Sequence, residues 1–181
     1  RFGVDTRYVY LKASDKWDPR PNPADDSFTD EWGATLRRPQ GGFYYDHVDH
    51  PIKEPTLEAV KKHNWPDPDD ASRVVGVREV AKRYFEEGYA VGTYLKGVWE
   101  TVWIVRGIEN ALADLIINPK FAHAVLDRTA DVLEGMLSLL LDEIGEYLSF
   151  ACVTCDLGTQ VSPMISKSAY EEFVRPREMR L

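Results

Sequence analysis

Four short stretches of the chain bring chemically capable side chains together. The first is Leu148 to Pro163, LSFACVTCDLGTQVSP, where an apolar, β-branched run ends in a polar turn containing glycine. If Phe150 to Cys155 is a parallel strand, Asp156, Thr159, Gln160 and Ser162 line the mouth of a site, because ligands of α/β proteins bind at the carboxyl ends of such strands. The same residue types also build tight turns, with Asp156 accepting backbone N–H bonds, and the residues alone leave both readings open. Cys152 and Cys155 have a zinc or redox spacing. Side chains three apart on a strand point to opposite faces, which argues against a shared metal or a disulfide.

The second stretch is Phe28-Thr29-Asp30-Glu31-Trp32-Gly33. Two carboxylates in one apolar pocket repel, raising one pKa toward general-acid use, but alternation along a strand would let at most one face a ligand. A solvated acidic turn is the plain alternative. The third, His47 and His50 in DHVDH, is an H-x-x-H without a helix to fix it and reads as exposed or capping histidines rather than a metal pair. The fourth is Lys96 to Gly107, KGVWETVWIVRG: Trp99 and Trp103 could stack on a large planar ligand while Glu100 or Arg106 fixes its polar groups. Core filling on a short helix accounts for the same residues.

The elements that must hold these residues follow from periodicity. Residues 2 to 11 alternate as a strand, with Phe2, Val4, Tyr8 and Tyr10 unable all to share a face with Asp5 and Arg7. Ser14 to Asp26 is a proline-rich acidic loop, and the Gly41-Gly42 pair between aromatic or β-rich runs predicts a hairpin. Thr56 to Asn64 reads as a short helix stopped by Trp65-Pro66. From the turn and N-cap stretch Asp67-Pro68-Asp69-Asp70 to Glu87 one apolar face, Val74, Val77, Val80, Ala81, Tyr84 and Phe85, predicts a helix closed by Gly88. Tyr89 to Leu95 is then a buried strand, Ile108 to Ile117 a helix, and Asn118-Pro119 the cap of a long helix reaching about Tyr147. Ser166 or Ser168 starts a last helix through Phe173 that Pro176 ends or kinks. Helix-then-strand repetition of this kind is the signature of a parallel α/β fold.

Composition narrows the function. The chain has 181 residues, 44% hydrophobic and 29% charged, enough for one sizeable core. A net charge of −8 and a pI near 5.0 repel phosphate backbones, and no basic stripe offsets them, so nucleic acid is not an expected partner. No apolar run reaches membrane-span length or resembles a signal peptide, and two cysteines make no disulfide framework. The expected setting is a reducing cytoplasm.

FTDEWG, WPDPDD, the Asn-Pro long helix and DLGTQVSPMIS with YEEFVRP, in this order, resemble the uroporphyrinogen decarboxylase superfamily. That group includes porphyrinogen decarboxylases and zinc-dependent methyltransferases that move a methyl group between a corrinoid and a thiol or folate. The resemblance implies a (β/α)8 TIM barrel, present here as the amino-terminal and middle part of one domain over residues 1–181, since a whole barrel needs roughly 250 residues. Phe28-Thr29-Asp30 is similar to the decarboxylases' Phe-Ser-Asp, whose aspartate binds pyrrole N–H groups, and Asp156 matches the start of their aspartate-serine turn. Trp103 stands at their pocket tyrosine, Trp99 in their Pro-Phe region and Leu157 at their serine, while DLGTQ with SPMIS is closer to the methyltransferases.

The expected function is therefore methyl transfer between a corrinoid and a thiol or folate. Uroporphyrinogen decarboxylation, or a non-catalytic corrinoid- or tetrapyrrole-binding relative, is the alternative. Asp30 and Asp156 are the expected catalytic residues. Trp32, Trp99, Trp103, Arg106 and Gln160 are the expected substrate-binding residues. Zinc ligands would lie outside this sequence, so no metal residue is assigned. A tetrapyrrole, a corrinoid or a corrinoid protein is the expected partner, with a homodimer compatible and no membrane.

Overall fold

The computed structural model describes residues 3–181, so Phe2 of the first expected strand lies outside the described residues. The chain forms β1 (Thr6–Tyr8), then β2 (Ser27–Thr29), β3 (Thr35–Arg37) and β4 (Asp46–Asp49). Next come α1 (Leu57–Lys62), a 3-10 turn (Ala71–Val74), α2 (Val77–Glu86), β5 (Ala90–Lys96), α3 (Val98–Arg106), α4 (Ile108–Ile117), α5 (Pro119–Ile144) and β6 (Leu148–Thr154). The end is α6 (Lys167–Ala169), a π-helical turn (Tyr170–Val174) and α7 (Arg175–Glu178). Among the described residues the strands make two sheets, a parallel one in the order β1-β5-β6 and an antiparallel one in the order β2-β3-β4. The fold is mixed α/β, and its three parallel strands do not close into a barrel among the described residues. No helix of the described residues is long and apolar enough to cross a membrane.

Helices cover one face of the parallel sheet. Val91 and Thr93 of β5 point to that side and are buried, as are Val9, Val77, Ala81, Leu140 and Ile144, which close a smaller core under β1 and β5. The larger core lies among α3, α4 and α5, where Trp99, Val102, Val105, Leu115, Phe121, Val125 and Leu126 meet Phe173 and Val174. The other sheet face stays open: Tyr8, Tyr10 and Tyr94 are exposed there, and the ring of Phe150 lies where a Cβ on its cross-strand partner Gly92 would have to be. Glycine at 92 is thus required by a neighbouring ring, with no call on unusual backbone angles.

Several boundaries differ from the periodicity, each for a local reason. The first strand is short because pairing with β5 ends at Tyr8–Gly92 and the Val9 N–H to Gly92 bond, after which the chain turns toward Arg73. The expected helix up to Glu87 is split, since Gly76 sits at φ +74 between the 3-10 turn and α2. Asn118 does not cap α5: its amide donates to Asp114 Oδ1 at 2.8 Å instead. Ser166 does cap the last helix, accepting from the Ala169 N–H, and that helix passes Pro176 by widening into a π turn just before it.

Candidate functional site

The divergence of β1 from β5 opens a split between their carboxyl ends. A cleft of about 340 Å³ lies in it, with Tyr10, Lys12, Tyr94 and Lys96 at the mouth, Glu31, Trp32 and Arg73 along a wall, and Leu133, Met136, Leu137 and Leu140 of α5 as the floor. An apolar floor with a few polar groups at the rim is the usual make-up of a small-molecule pocket. A second, polar cleft of about 550 Å³ adjoins it at Glu31 and is lined by Lys16, Trp17, Arg20, Asp30, His63 and Trp65, among others.

One buried arginine organises the wall between the two. The Arg73 side chain is 2% exposed and forms a fork with both carboxylate oxygens of Glu31, Nη1 at 2.9 Å from Oε2. Its Nε donates to the Asp67 carbonyl at 2.9 Å, and its own carbonyl accepts from the Lys12 N–H. Ser14 completes the tie: its hydroxyl donates to Asp70 and its backbone N–H reaches Glu31. The Ser14 hydroxyl first, and then the Ser72 backbone N–H and hydroxyl, hold the Asp70 carboxyl well below the usual carboxylate range. Three segments distant in sequence are fixed together, and with them the position of the antiparallel sheet against the strand ends.

Asp30 lines the polar cleft from the turn between β2 and β3. Its Oδ1 accepts from the Ala34 N–H at 2.8 Å, and its Oδ2 lies 3.8 Å from His47 Nε2. Half-buried His63 stands nearby; burial lowers its pKa, against a smaller opposing pull from the Trp32 backbone and Asp30, so its imidazole is neutral at pH 7. Trp32 lines the first cleft and meets Trp65 edge to face.

The other expected site residues stand elsewhere. Trp99 is completely buried in the helical core with Trp103 edge-on at 6.1 Å, leaving Trp99 no open face for stacking. Arg106 is buried and committed, with Nε 2.7 Å from Asp114 and Nη1 on the Ile52 and Lys53 carbonyls, which clamps the chain before α1 onto α3 and α4. Asp156 and Gln160 are exposed beyond β6. There Thr159 bonds Ser162 in both directions to close a tight turn, and that turn lines a separate surface groove with α6. His50 Nδ1 bonds the Ile104 carbonyl, Cys152 and Cys155 are free thiols, and no group of three or more His, Cys, Asp or Glu placed to hold a metal occurs among the described residues.

Sequence reasoning did not single out Glu31–Arg73 as a pair, nor Tyr10, Lys12 and Tyr94. The available signal was positional: Lys12 and Lys96 directly follow two runs read as strands, and Tyr94 lies near the end of the second, where strand ends gather ligands. No family model matches the chain, and no curated protein matches it.

Proposed function

We propose that the chain is part of an enzyme of the uroporphyrinogen decarboxylase superfamily, built on a (β/α)8 barrel, that acts on a tetrapyrrole-type partner, with methyl transfer between a corrinoid and a thiol or folate as the favoured reaction. The observation that carries this reading is the open aromatic face of the parallel sheet. Tyr8 and Tyr10 stack at 6.1 Å, Phe150 meets Tyr8 edge-on at 5.8 Å, and Tyr94 extends the surface to the strand ends. A planar macrocycle too large for either cleft fits such a platform, and its polar edge would reach Lys12 and Lys96 at the mouth. Asp30 keeps one oxygen off its turn bond, as a carboxylate must to accept N–H donors.

The described residues fit a macrocycle better than a metal. They gather no group of three or more His, Cys, Asp or Glu placed to hold zinc, whose ligands in this reading lie outside the sequence. The decarboxylase alternative uses the same Asp30 oxygen.

The test uses the full chain. Methylcobalamin titration followed by tryptophan quenching should saturate, and Phe150→Ala with Tyr8→Ala should weaken it at least tenfold. Turnover is then assayed with methylcobalamin plus thiols and with uroporphyrinogen. Tight binding with turnover in neither assay identifies a non-catalytic relative, and binding unaffected by the two alanines removes the platform from the function.

A further inference from the structure

The polar cleft beside Glu31 holds two acceptors that the fold leaves unused. The turn from Asp30 to Ala34 spends only one oxygen of the Asp30 carboxylate: Oδ1 takes the Ala34 N–H and the Asp30 carbonyl takes the Gly33 N–H. Oδ2 has no hydrogen-bond donor and no lysine or arginine partner among the described residues; His47 Nε2 stands 3.8 Å away. Gly33, at φ +86, packs this turn against His63, since a Cβ there would lie 3.4 Å from His63 Cε1 and 3.3 Å from Pro51 Cβ. His63 supplies the second acceptor. Its Nε2 is buried with no hydrogen-bond partner among the described residues. The Trp32 backbone favours the protonated ring, the mark of a donated bond, so the unpaired Nε2 is the accepting nitrogen of the neutral imidazole. An unpaired buried polar atom costs stability, and a partner inside the cleft would recover it.

The other groups around the cleft are already engaged or offset one another. Lys16 lies 3.4 Å from both Asp67 and Asp70, and Glu31 is held by Arg73. The indole N–H groups of Trp17 and Trp65 donate to the Thr29 and Val60 carbonyls, so neither offers a donor to an anion. Asp18 and Arg20 are exposed and together add no net charge, with Asp18 Oδ1 taking the Arg20 backbone N–H. Asp30, His47 and His63 are not placed to hold a metal together. What remains unspent inside the cleft is a carboxylate oxygen and an imidazole nitrogen, between tryptophan side chains.

We propose that this cleft binds a compact organic cation with at least two N–H donors, an ammonium or amidinium on a small apolar body, with Asp30 Oδ2 and His63 Nε2 as its acceptors and Trp17 and Trp65 along its body. A charged N–H donor is the strongest partner for an ionised carboxylate, and indole rings favour a cation over an anion. Arg20, at the exposed rim, is the group that opposes this preference. The site shares the Asp30 oxygen with the proposed reaction, where a bound cation would compete with macrocycle N–H groups, but it does not rest on that reaction.

The probe is benzamidine, titrated by calorimetry into the full chain at about pH 8, above the ordinary histidine range. It should bind saturably and about tenfold more tightly than N,N,N-trimethylbenzylammonium, which carries the charge without an N–H. Benzoate should not bind. Asp30→Asn keeps an acceptor for the Ala34 N–H and should weaken benzamidine about tenfold, and His63→Phe, which keeps a ring in place, about threefold. Equal binding of the trimethylated cation would reduce the site to bare charge attraction and overturn the proposal. Tighter binding of benzoate, wild-type affinity in either variant, or no saturable benzamidine binding would overturn it as well. Loss of methylcobalamin binding or of turnover with the benzamidine pattern intact would remove only the proposed reaction.

Discussion

Replacing Glu31 by glutamine should destabilise the fold by about 3 kcal/mol. The estimate starts from Arg73, whose guanidinium is 2% exposed and whose single anionic partner is a carboxylate only 17% exposed. Breaking a buried pair by neutralising one member leaves an uncompensated charge and costs about 3 to 5 kcal/mol. Two features put the figure at the lower end: Arg73 still has the Asp67 and Lys12 carbonyls to donate to, and Glu31 sits beside a cleft that admits water. Glutamine keeps one acceptor oxygen but turns an N–H₂ toward the guanidinium. For a chain of 181 residues this corresponds to a fall of roughly 8 °C in melting temperature. Urea melts of the wild type, Glu31→Gln, Arg73→Met and the double variant measure the pair directly. The double variant should be less destabilised than the sum of the singles by 1 kcal/mol or more. A shift below about 1 °C for Glu31→Gln, or strict additivity in the cycle, would refute the claim that this pair holds the cleft wall.

Two further outcomes follow from individual titrating groups. His63 has a folded pKa below its ordinary value of 6.5 because of burial, so the unfolded chain takes up a proton that the folded one resists. Above that pH both states are neutral; as pH falls through 6.5 toward the depressed folded value stability should decline, and His63→Gln should flatten this slope in melts between pH 7 and 5. For the thiols, burial first and Glu178 second push Cys155 up, whereas Cys152 is exposed. A thiol-disulfide dye should label one cysteine quickly in the folded chain, Cys152, and two fast equivalents would show that Cys155 is not held as described.

The parallel strands and long helices were legible because their signal is local. β5 and β6 are short apolar runs after helices, and α5 carries its buried stripe of Phe121, Val125, Val132, Met136, Leu140 and Ile144 in its own periodicity. The chemistry of Arg106 and Arg73 was not. Both are arginines near aromatic or acidic residues in sequence, and only the tertiary fold decides that Arg106 meets Asp114 and the Ile52 carbonyl while Arg73 meets Glu31, 42 positions away. The tryptophans make the same point. Trp99 and Trp103 read equally well as platform or core from their spacing, and packing against Phe121, Val125 and Phe173 puts Trp99 in the core. The aromatic platform is instead made of Tyr8, Tyr10, Tyr94 and Phe150, which strand alternation places on one face once the register is known.

Helix α5 runs for 26 residues, about 39 Å, and serves both cores in turn. Leu133 belongs to the larger and Leu140 to the smaller, while Met136 and Leu137 lie between, buried but claimed by neither cluster. Those four side chains are the floor of the cleft. The pocket thus sits on a seam between two independently packed regions, and a change of side-chain volume at 136 or 137 alters the shape of the floor while leaving the interdigitation on either side largely intact. Substitution at 136 or 137 therefore reshapes what the cleft admits from a position that anchors neither core cluster, although both side chains are buried.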